Sequence, residues 1–403
     1  MNTTLSPARI RLALLALALG GFGIGATEFV AMGLLPNLAE DLLPTLYRSS
    51  AEDALGQAGL LISAYALGVV VGAPTIAAIA ARFPRKKLLL ALLAIIVVAT
   101  VASAILPSFG LVLAARFVSG LPHGAYFGVA SLVAASLMGP GKRGRGIAFV
   151  LSGLTIANVV GVPTITLLGQ LHGWRVAYLA VAGIFALTFV AVALVVPIQP
   201  GDAHATMRRE LAAFRRSQVW LALGIGAIGF GGFFAVYTYI SPVVTEVTKL
   251  PLSSVPIILV IFGIGMTIGN LVGGRLADHH VMRTLFFCFG LLFIALIGFA
   301  LTAGTIGGLI GFAFLTALAA SALSPAIQTR LMDVAGDSQT MAAAVNHSCL
   351  NLGNSLGAFL GGLTIAAGYG YLSSTWVGLV LCVAGIGIAV FSALLQRVRP
   401  LRS

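Results

Sequence analysis

Charge is what this chain has least of. Asp, Glu, Lys and Arg make up 8% of its 403 residues, where a soluble globular protein carries roughly 25%. Only eleven of them are acids. So little charge cannot cover the surface of a water-soluble domain, and a mean hydropathy of +1.06 excludes one outright. Cysteine is scarce as well: Cys288, Cys349 and Cys382 each fall inside an apolar run, with no paired spacing in a loop. That excludes a disulfide framework or a cysteine-based metal site. Neither HExxH nor a phosphate-binding loop is present, so metalloprotease chemistry and ATP-driven pumping have no motif to rest on. The chain does not read as an enzyme, and no metal or cofactor is expected.

What is there is apolar length. A membrane-spanning helix needs about 20 mostly apolar residues, and twelve runs qualify: near 12–36, 56–81, 88–106, 109–138, 147–170, 175–197, 219–245, 254–276, 283–303, 305–331, 339–367 and 373–395. The first follows Arg9 and Arg11 as a signal peptide would. It is too long for a signal core and has no small-x-small cleavage site, so it is expected to be retained. The net charge of +12 could suggest nucleic acid, but its distribution points elsewhere. With the N-terminus placed inside, 19 of the 23 basic residues fall on that side. Arg48, Arg175 and Lys249 fall outside, and Arg116 lies within a span. This is the positive-inside pattern, with both termini cytoplasmic and no nucleic-acid partner.

The longest connection, residues 199–218, follows the sixth run and divides the chain into bundles 1–198 and 219–403 with a cytoplasmic linker between them. Setting Pro36 against Pro242 also sets Glu40 against Glu246 and Glu28 against Phe234, as a duplicated unit would. Small residues recur at spacing four in the second span of every triplet: Gly68/Gly72, Gly153/Ala157/Gly161, Gly265/Gly269/Gly273 and Gly353/Gly357/Gly361. Such ridges let helices approach closely. They are either ordinary packing or, given their recurrence, sliding surfaces between the two bundles. Spans 3, 6, 9 and 12 hold no Asp, Glu, Lys, Asn, Gln or His and are expected to face lipid. Repeated bundles with a midplane site between them are the architecture of many secondary transporters.

Glu28 is the residue that suggests chemistry, a carboxylate in the run GATEFVAMGLLP with no other charge between Arg11 and Glu40. An acid at bilayer depth is costly and marks a functional site by default. Counting 1.5 Å per residue from the outer ends puts Glu28 and Arg116 both about 12 Å deep. They form either a static ion pair or a proton and substrate site in which Arg116 supports Glu28. Thr27 is a hydrogen-bonding neighbour. His123 stands midway along the fourth span, as a core histidine or a proton relay. His347, Asn351 and Asn354 share one helical face, turned to a cavity or to a partner helix. Phe29, Met32, Phe234, Tyr237 and Tyr239 could wall a drug-sized pocket.

These segments resemble the major facilitator superfamily, within it the twelve-helix drug:proton antiporters close to the bacterial arabinose/sugar and chloramphenicol efflux group. GATEFVAMGLLPNLAEDL (25–42) looks like that group's first-helix signature, and LAARFVSGLPHGAYFGVA (113–130) like its fourth-helix motif, with Arg116 as the motif arginine. FAVYTYISPVVTEVT (234–248) and AAAVNHSCLNLGNSLGAFLGG (342–362) resemble its seventh and eleventh helices. The fifth-helix Gly-Pro motif is spread to Gly161, Val162, Pro163. The loop motif between spans 2 and 3 is degenerate, AAIAARFPRKK with Arg82 and Arg85, while GGRLADHHVMR keeps Gly274 and Asp278 in the second half.

The resemblance implies an all-α integral membrane protein of twelve transmembrane helices in two pseudo-symmetric six-helix bundles. It implies a monomer in the bacterial inner membrane that exports a small-molecule substrate, such as chloramphenicol, another amphiphile or a sugar, against protons carried by Glu28. Gating is then expected at Arg82, Arg85, Gly161, Pro163, Gly274 and Asp278. A proton-coupled importer of a sugar or nucleoside, and a non-transporting membrane sensor, are the alternatives.

Overall fold

A computed structural model of the chain describes residues 6–80, 83–139, 141–200, 216–335 and 339–398. The linker expected at 199–218 lies largely outside them, as do Ala81 and Arg82 of the degenerate loop motif. Twelve spans are present, each where an apolar run is: α1 Pro7–Gly33, α2 Leu60–Ala80, α3 Arg85–Ile105, α4 Phe109–Met138, α5 Arg143–His172 and α6 Trp174–Val195 in the first half. In the second half α7 is Ser217–Thr238, and one continuous assignment, Val255–Thr302, breaks at His280 (φ −151°, ψ 89°) into α8 (255–279) and α9 (281–302). α10 Ile306–Ala335, α11 Gln339–Thr364 and α12 Ser373–Val398 complete the set. No strand occurs among the described residues. In a bilayer this is what the backbone requires, because every N–H and C=O must be paired within its own helix.

Twelve spans with short turns bring the two described ends, near Pro7 and Val398, to one face, called here the termini face; the other is the distal face. Only a third of span α6 and of span α12 is buried, against nearly three quarters of α7. Leu187, Val190 and Leu194 on α6, Phe287, Ile294 and Leu301 on α9, and Val380 and Phe391 on α12 are among the exposed apolar side chains, so these helices form the lipid side as expected. The duplication shows in the breaks: α1 ends at Gly33 before Leu35–Leu42, and α7 ends at Thr238 before Ile240–Pro242.

The glycine ridges overturn the expectation of sliding surfaces between bundles. A Cβ on Gly68 or Gly72 would run into the Phe117 and Leu121 carbonyls of α4, and one on Gly153 into the Ala18 carbonyl of α1. In the second half Gly265, Gly269 and Gly273 press on the Phe314, Leu318 and Ala322 carbonyls of α10, and Gly357 presses on the Gly231 carbonyl of α7. Each ridge therefore joins two helices of the same half, α2 to α4 and α5 to α1, with α8 to α10 and α11 to α7 as their repeats. These backbone contacts tie helices together within each half. Across the halves the close approaches are different ones: Gly56 on the Gly362 carbonyl at the distal face, and Gly263 of α8 on the Asn158 carbonyl of α5.

Gly72→Ala is expected to lower stability by about 1 to 3 kcal/mol, the usual cost of overpacking against backbone. Gly290→Ala on α9, where a Cβ meets nothing within 4 Å, should be neutral or slightly stabilising. Thermal unfolding of the two variants in detergent checks the contrast.

The distal face is closed by Ala51–Ala58, which precedes α2, packing on Ile365–Tyr369 at the end of α11. Glu52 and Tyr47 of the first half meet Glu246 and Tyr371 of the second there. The Tyr371 phenol is pushed up to about 12 by burial first, then by Glu52, Glu246 and Tyr47. A phenol held neutral above its ordinary 10.0 contributes stability complete below pH 10 and lost as pH rises through about 12. Ultraviolet titration of Tyr371→Phe should accordingly lack one late-ionising phenol.

Candidate functional site

Two polar layers lie between the halves, stacked along the membrane normal. The first is built on Glu28. Glycine and alanine neighbours on α1 let other helices close around it, and it is buried at 5% exposure. Its Oε1 accepts a hydrogen bond from Asn354 Nδ2 of α11 at 3.4 Å, a contact that crosses from one half to the other. Arg116 of α4 sits at the same depth but does not pair with it. Its Nη1 donates to Thr27 Oγ1 at 3.1 Å, and its guanidinium carbon lies 4.4 Å from the Tyr65 ring centroid and 5.5 Å from that of Tyr178. The described residues hold two ion pairs, Arg175–Asp41 and Lys249–Glu246, and neither involves Glu28 or Arg116. The static ion pair is therefore not formed: Arg116 bonds Thr27, and Glu28 bonds Asn354.

The surplus hydrogen-bonding capacity of this layer is its chief chemical property. Arg116 Nε and Nη2, Asn351 Oδ1, Asn354 Oδ1, Tyr178 Oη and Tyr237 Oη are all buried without a partner among the described residues. Leaving several such groups unmatched in one place is costly, and it suits a site whose partners arrive with a ligand. Aromatic rings form the wall beside it. Phe29 stacks on Phe234 at 6.3 Å and meets Tyr237 edge-on at 5.7 Å. Tyr237 in turn stacks on Phe233 at 5.2 Å and touches Phe262 of α8 at 4.8 Å. Met32 is buried on the same helix as Phe29.

The second layer lies about 10 Å nearer the termini face, seven residues along α4 from Arg116 and seven along α11 from Asn354. Its members are His123, Phe127 and His347. The His123 Nδ1 is 3.1 Å from Tyr65 Oη, the two imidazole centroids are 6.2 Å apart, and Phe127 stacks on His347 at 5.5 Å with an interplanar angle of 7°.

Most of the expected residues converge, and some do not. Tyr239 is turned away from Tyr237 because two residues along a helix point to opposite sides, and its hydroxyl donates to the Ala358 carbonyl at 2.6 Å. Asn351 spends its amide N–H on the His347 carbonyl of its own helix at 3.0 Å. Gly161 closes a π-helical turn, Ala157–Gly161, ahead of Pro163, and a Cβ there would meet the Phe22 ring of α1. Such turns recur at functional sites, and this one carries the Asn158 carbonyl that meets Gly263. Arg85 is held by the Gln199 side chain at 3.4 Å and the Leu132 carbonyl at 3.5 Å. Gly274 has open space around it, and Asp278 is exposed without an ion pair among the described residues. Tyr65, Tyr178, Phe233 and Phe262 were not anticipated. The signal for Tyr65 was a lone phenol in an apolar span, which needs a polar partner when buried.

Gly353-Asn354-Ser355-Leu356-Gly357 reproduces the G-x-S-x-G spacing of a hydrolase nucleophile elbow. It runs mid-helix within α11, with no strand-to-helix turn to expose the serine.

The Major Facilitator Superfamily model matches residues 17–311 and 257–403. The chain belongs to this superfamily. Its members carry small molecules across membranes and are not enzymes, which sets the sensor reading aside. The inner membrane transport protein YdhP of Escherichia coli O157:H7 is 39% identical over 94% of this chain and 95% of its own length. A chloramphenicol resistance protein of Streptomyces lividans is 33% identical over 96% of this chain and 98% of its own. Among solved structures, a bacterial homologue of the human lysosomal transporter Spinster, in an inward-facing and occupied conformation, matches with a TM-score of 0.73 at 18% identity. That match covers 97% of this chain and 98% of the other. This last likeness speaks for the superfamily fold alone.

Proposed function

We propose that this protein is a proton-coupled antiporter that exports small amphiphiles, of which chloramphenicol-like drugs and sugars are the first to test. We place it in a bacterial inner membrane as a monomer, with both termini cytoplasmic and bundles 1–198 and 219–403 rocking about the site. The observation that carries the reading is the buried carboxylate of Glu28, bonded to Asn354 of the opposite half. An acid at the interface of two rigid bodies couples its protonation to their arrangement, since a buried charge needs compensation and a neutral carboxyl does not. Substrate supplies that compensation by donating a polar hydrogen to Glu28, its other polar groups matching Arg116, Asn351 and Tyr237, while its apolar part lies on Phe29, Phe234 and Phe262. A proton arriving from outside neutralises Glu28 and releases substrate there; its departure inside restores the anion for the next load. Relationship to a chloramphenicol resistance protein supports the direction and the first substrate to try.

The test is a proteoliposome screen with a pH-sensitive dye, adding chloramphenicol, a lipophilic cation and a pentose in turn to wild type and Glu28→Gln. Substrate-evoked proton movement with at least one compound, absent from the variant, is the expected result. Equal proton movement in both would remove Glu28 from the coupling.

A further inference from the structure

Toward the termini face a groove of about 510 Å³ opens between α9 and α12. It is lined by Met282, Arg283 and Phe286 of α9 and by Ala393 and Gln396 of α12. We propose that this groove binds an anionic phospholipid of the cytoplasmic leaflet, with the headgroup phosphate on Arg283 and Gln396 and the start of an acyl chain on Met282, Phe286 and Ala393. The inference rests on the reading above that the termini face is cytoplasmic, and it concerns a site apart from Glu28.

Helical spacing builds the two walls. Met282 and Phe286 stand four residues apart at the start of α9, and Ala393 and Gln396 three apart near the end of α12, so each pair shares one face of its helix. The rotation of α12 is fixed from inside the bundle: Ser392 Oγ donates to Gln218 Oε1 of α7 at 2.7 Å and accepts from Arg330 Nη2 of α10 at 3.1 Å. Ala393, the next residue, is thereby turned outward. Deeper in the membrane α9 and α12 touch, where Cys382 Sγ donates to the Phe289 carbonyl at 3.7 Å, so the walls belong to one packed pair of helices.

The charge in the groove is left for a ligand. Arg283 is exposed, and it makes no ion pair or hydrogen bond among the described residues. A guanidinium matches a phosphate through two parallel hydrogen bonds, and the Gln396 amide has N–H groups for a further oxygen. The apolar members select among phosphates. A soluble phosphate has no use for Met282 and Phe286, whereas a phospholipid brings phosphate and hydrocarbon to this depth together. Beyond the groove Phe287, 63% exposed, and Leu394, 53% exposed, continue the apolar surface of the same two helices. Basic pockets between transmembrane helices on the cytoplasmic side take anionic headgroups by this combination. A zwitterionic headgroup would bring its own cation to the arginine, so the anionic one is preferred.

The test is retention of phosphatidylglycerol by the detergent-purified protein, followed by native mass spectrometry together with the melting temperature. The expected result is that phosphatidylglycerol is retained, and raises the melting temperature, at concentrations where phosphatidylcholine does neither. Arg283→Gln, a change on an exposed side chain, should weaken retention by about tenfold or more, as the loss of a charge-assisted contact does. Arg143→Gln, exposed at the start of α5 on the same face, should leave it unchanged. Ala393→Trp fills the groove without altering charge and should also remove retention, which simple attraction between a basic face and an anionic lipid would not produce; its melting temperature without lipid reports that the chain still folds. Equal retention by wild type and Arg283→Gln, phosphatidylcholine held as tightly as phosphatidylglycerol, the same thermal shift from inorganic phosphate alone, or a folded Ala393→Trp variant that binds like wild type would overturn the proposal. Neither substrate nor a pH gradient is present, so the outcome is independent of whether Glu28 couples export.

Discussion

Replacing Glu28 by Gln is expected to reduce proton-driven substrate accumulation to the level of vesicles without protein, while the chain still inserts and folds. The size of the effect follows from position. Glu28 is a buried acid bonded to the opposite half, through Asn354, and glutamine retains the shape and one hydrogen-bonding oxygen but cannot lose or gain the proton. Thermal stability should rise or stay unchanged, since a buried charge is removed and the bond to Asn354 survives. Uptake driven by an imposed pH gradient, measured together with unfolding temperature, separates this loss from misfolding.

Arg116→Lys should be nearly as damaging, although charge is conserved. The guanidinium donates to Thr27 at 3.1 Å while lying 4.4 Å from the Tyr65 ring centroid, and two of its nitrogens have no partner among the described residues. A planar, multi-donor group can stack and bind at once, which a single ammonium cannot. We expect substrate affinity to fall by about tenfold or more, equivalent to roughly 1.4 kcal/mol, with stability changed far less. Equilibrium binding of the substrate identified in the dye screen, compared between wild type and Arg116→Lys, checks this. Arg116→Ala should lose both binding and stability, because it also strips the packing between α1, α2, α4 and α6.

The depth of Glu28 and Arg116 was legible in the sequence because helical rise is constant, so counting residues from the outer ends sets both at one level. Their lack of an ion pair was not legible. One residue turns a helix by more than a quarter of a circle, and nothing in a single chain says which of Thr27 and Glu28 faces α4. The glycine ridges show the same limit. Their spacing announces close helix contact, yet the identity of the neighbour, α4 for Gly72 and α10 for Gly269, depends on how six helices are arranged around each other. The face of α11 that carries His347, Asn351 and Asn354 was readable from periodicity, and it does face the interface. Its meeting with His123 was hidden, since the two histidines are 224 positions apart and neither stands in a motif that names the other. Lipid-facing helices α3, α6, α9 and α12 were the easiest part, because the bilayer excludes polar side chains from them directly.

The central claim is that one buried carboxylate exchanges a proton for substrate. The most direct measurement is the number of protons released into weakly buffered solution when saturating substrate is added to detergent-solubilised protein. The account predicts about one proton per substrate bound for wild type and none for Glu28→Gln. Release that persists undiminished in Glu28→Gln, or binding by the wild type without any release, would contradict it.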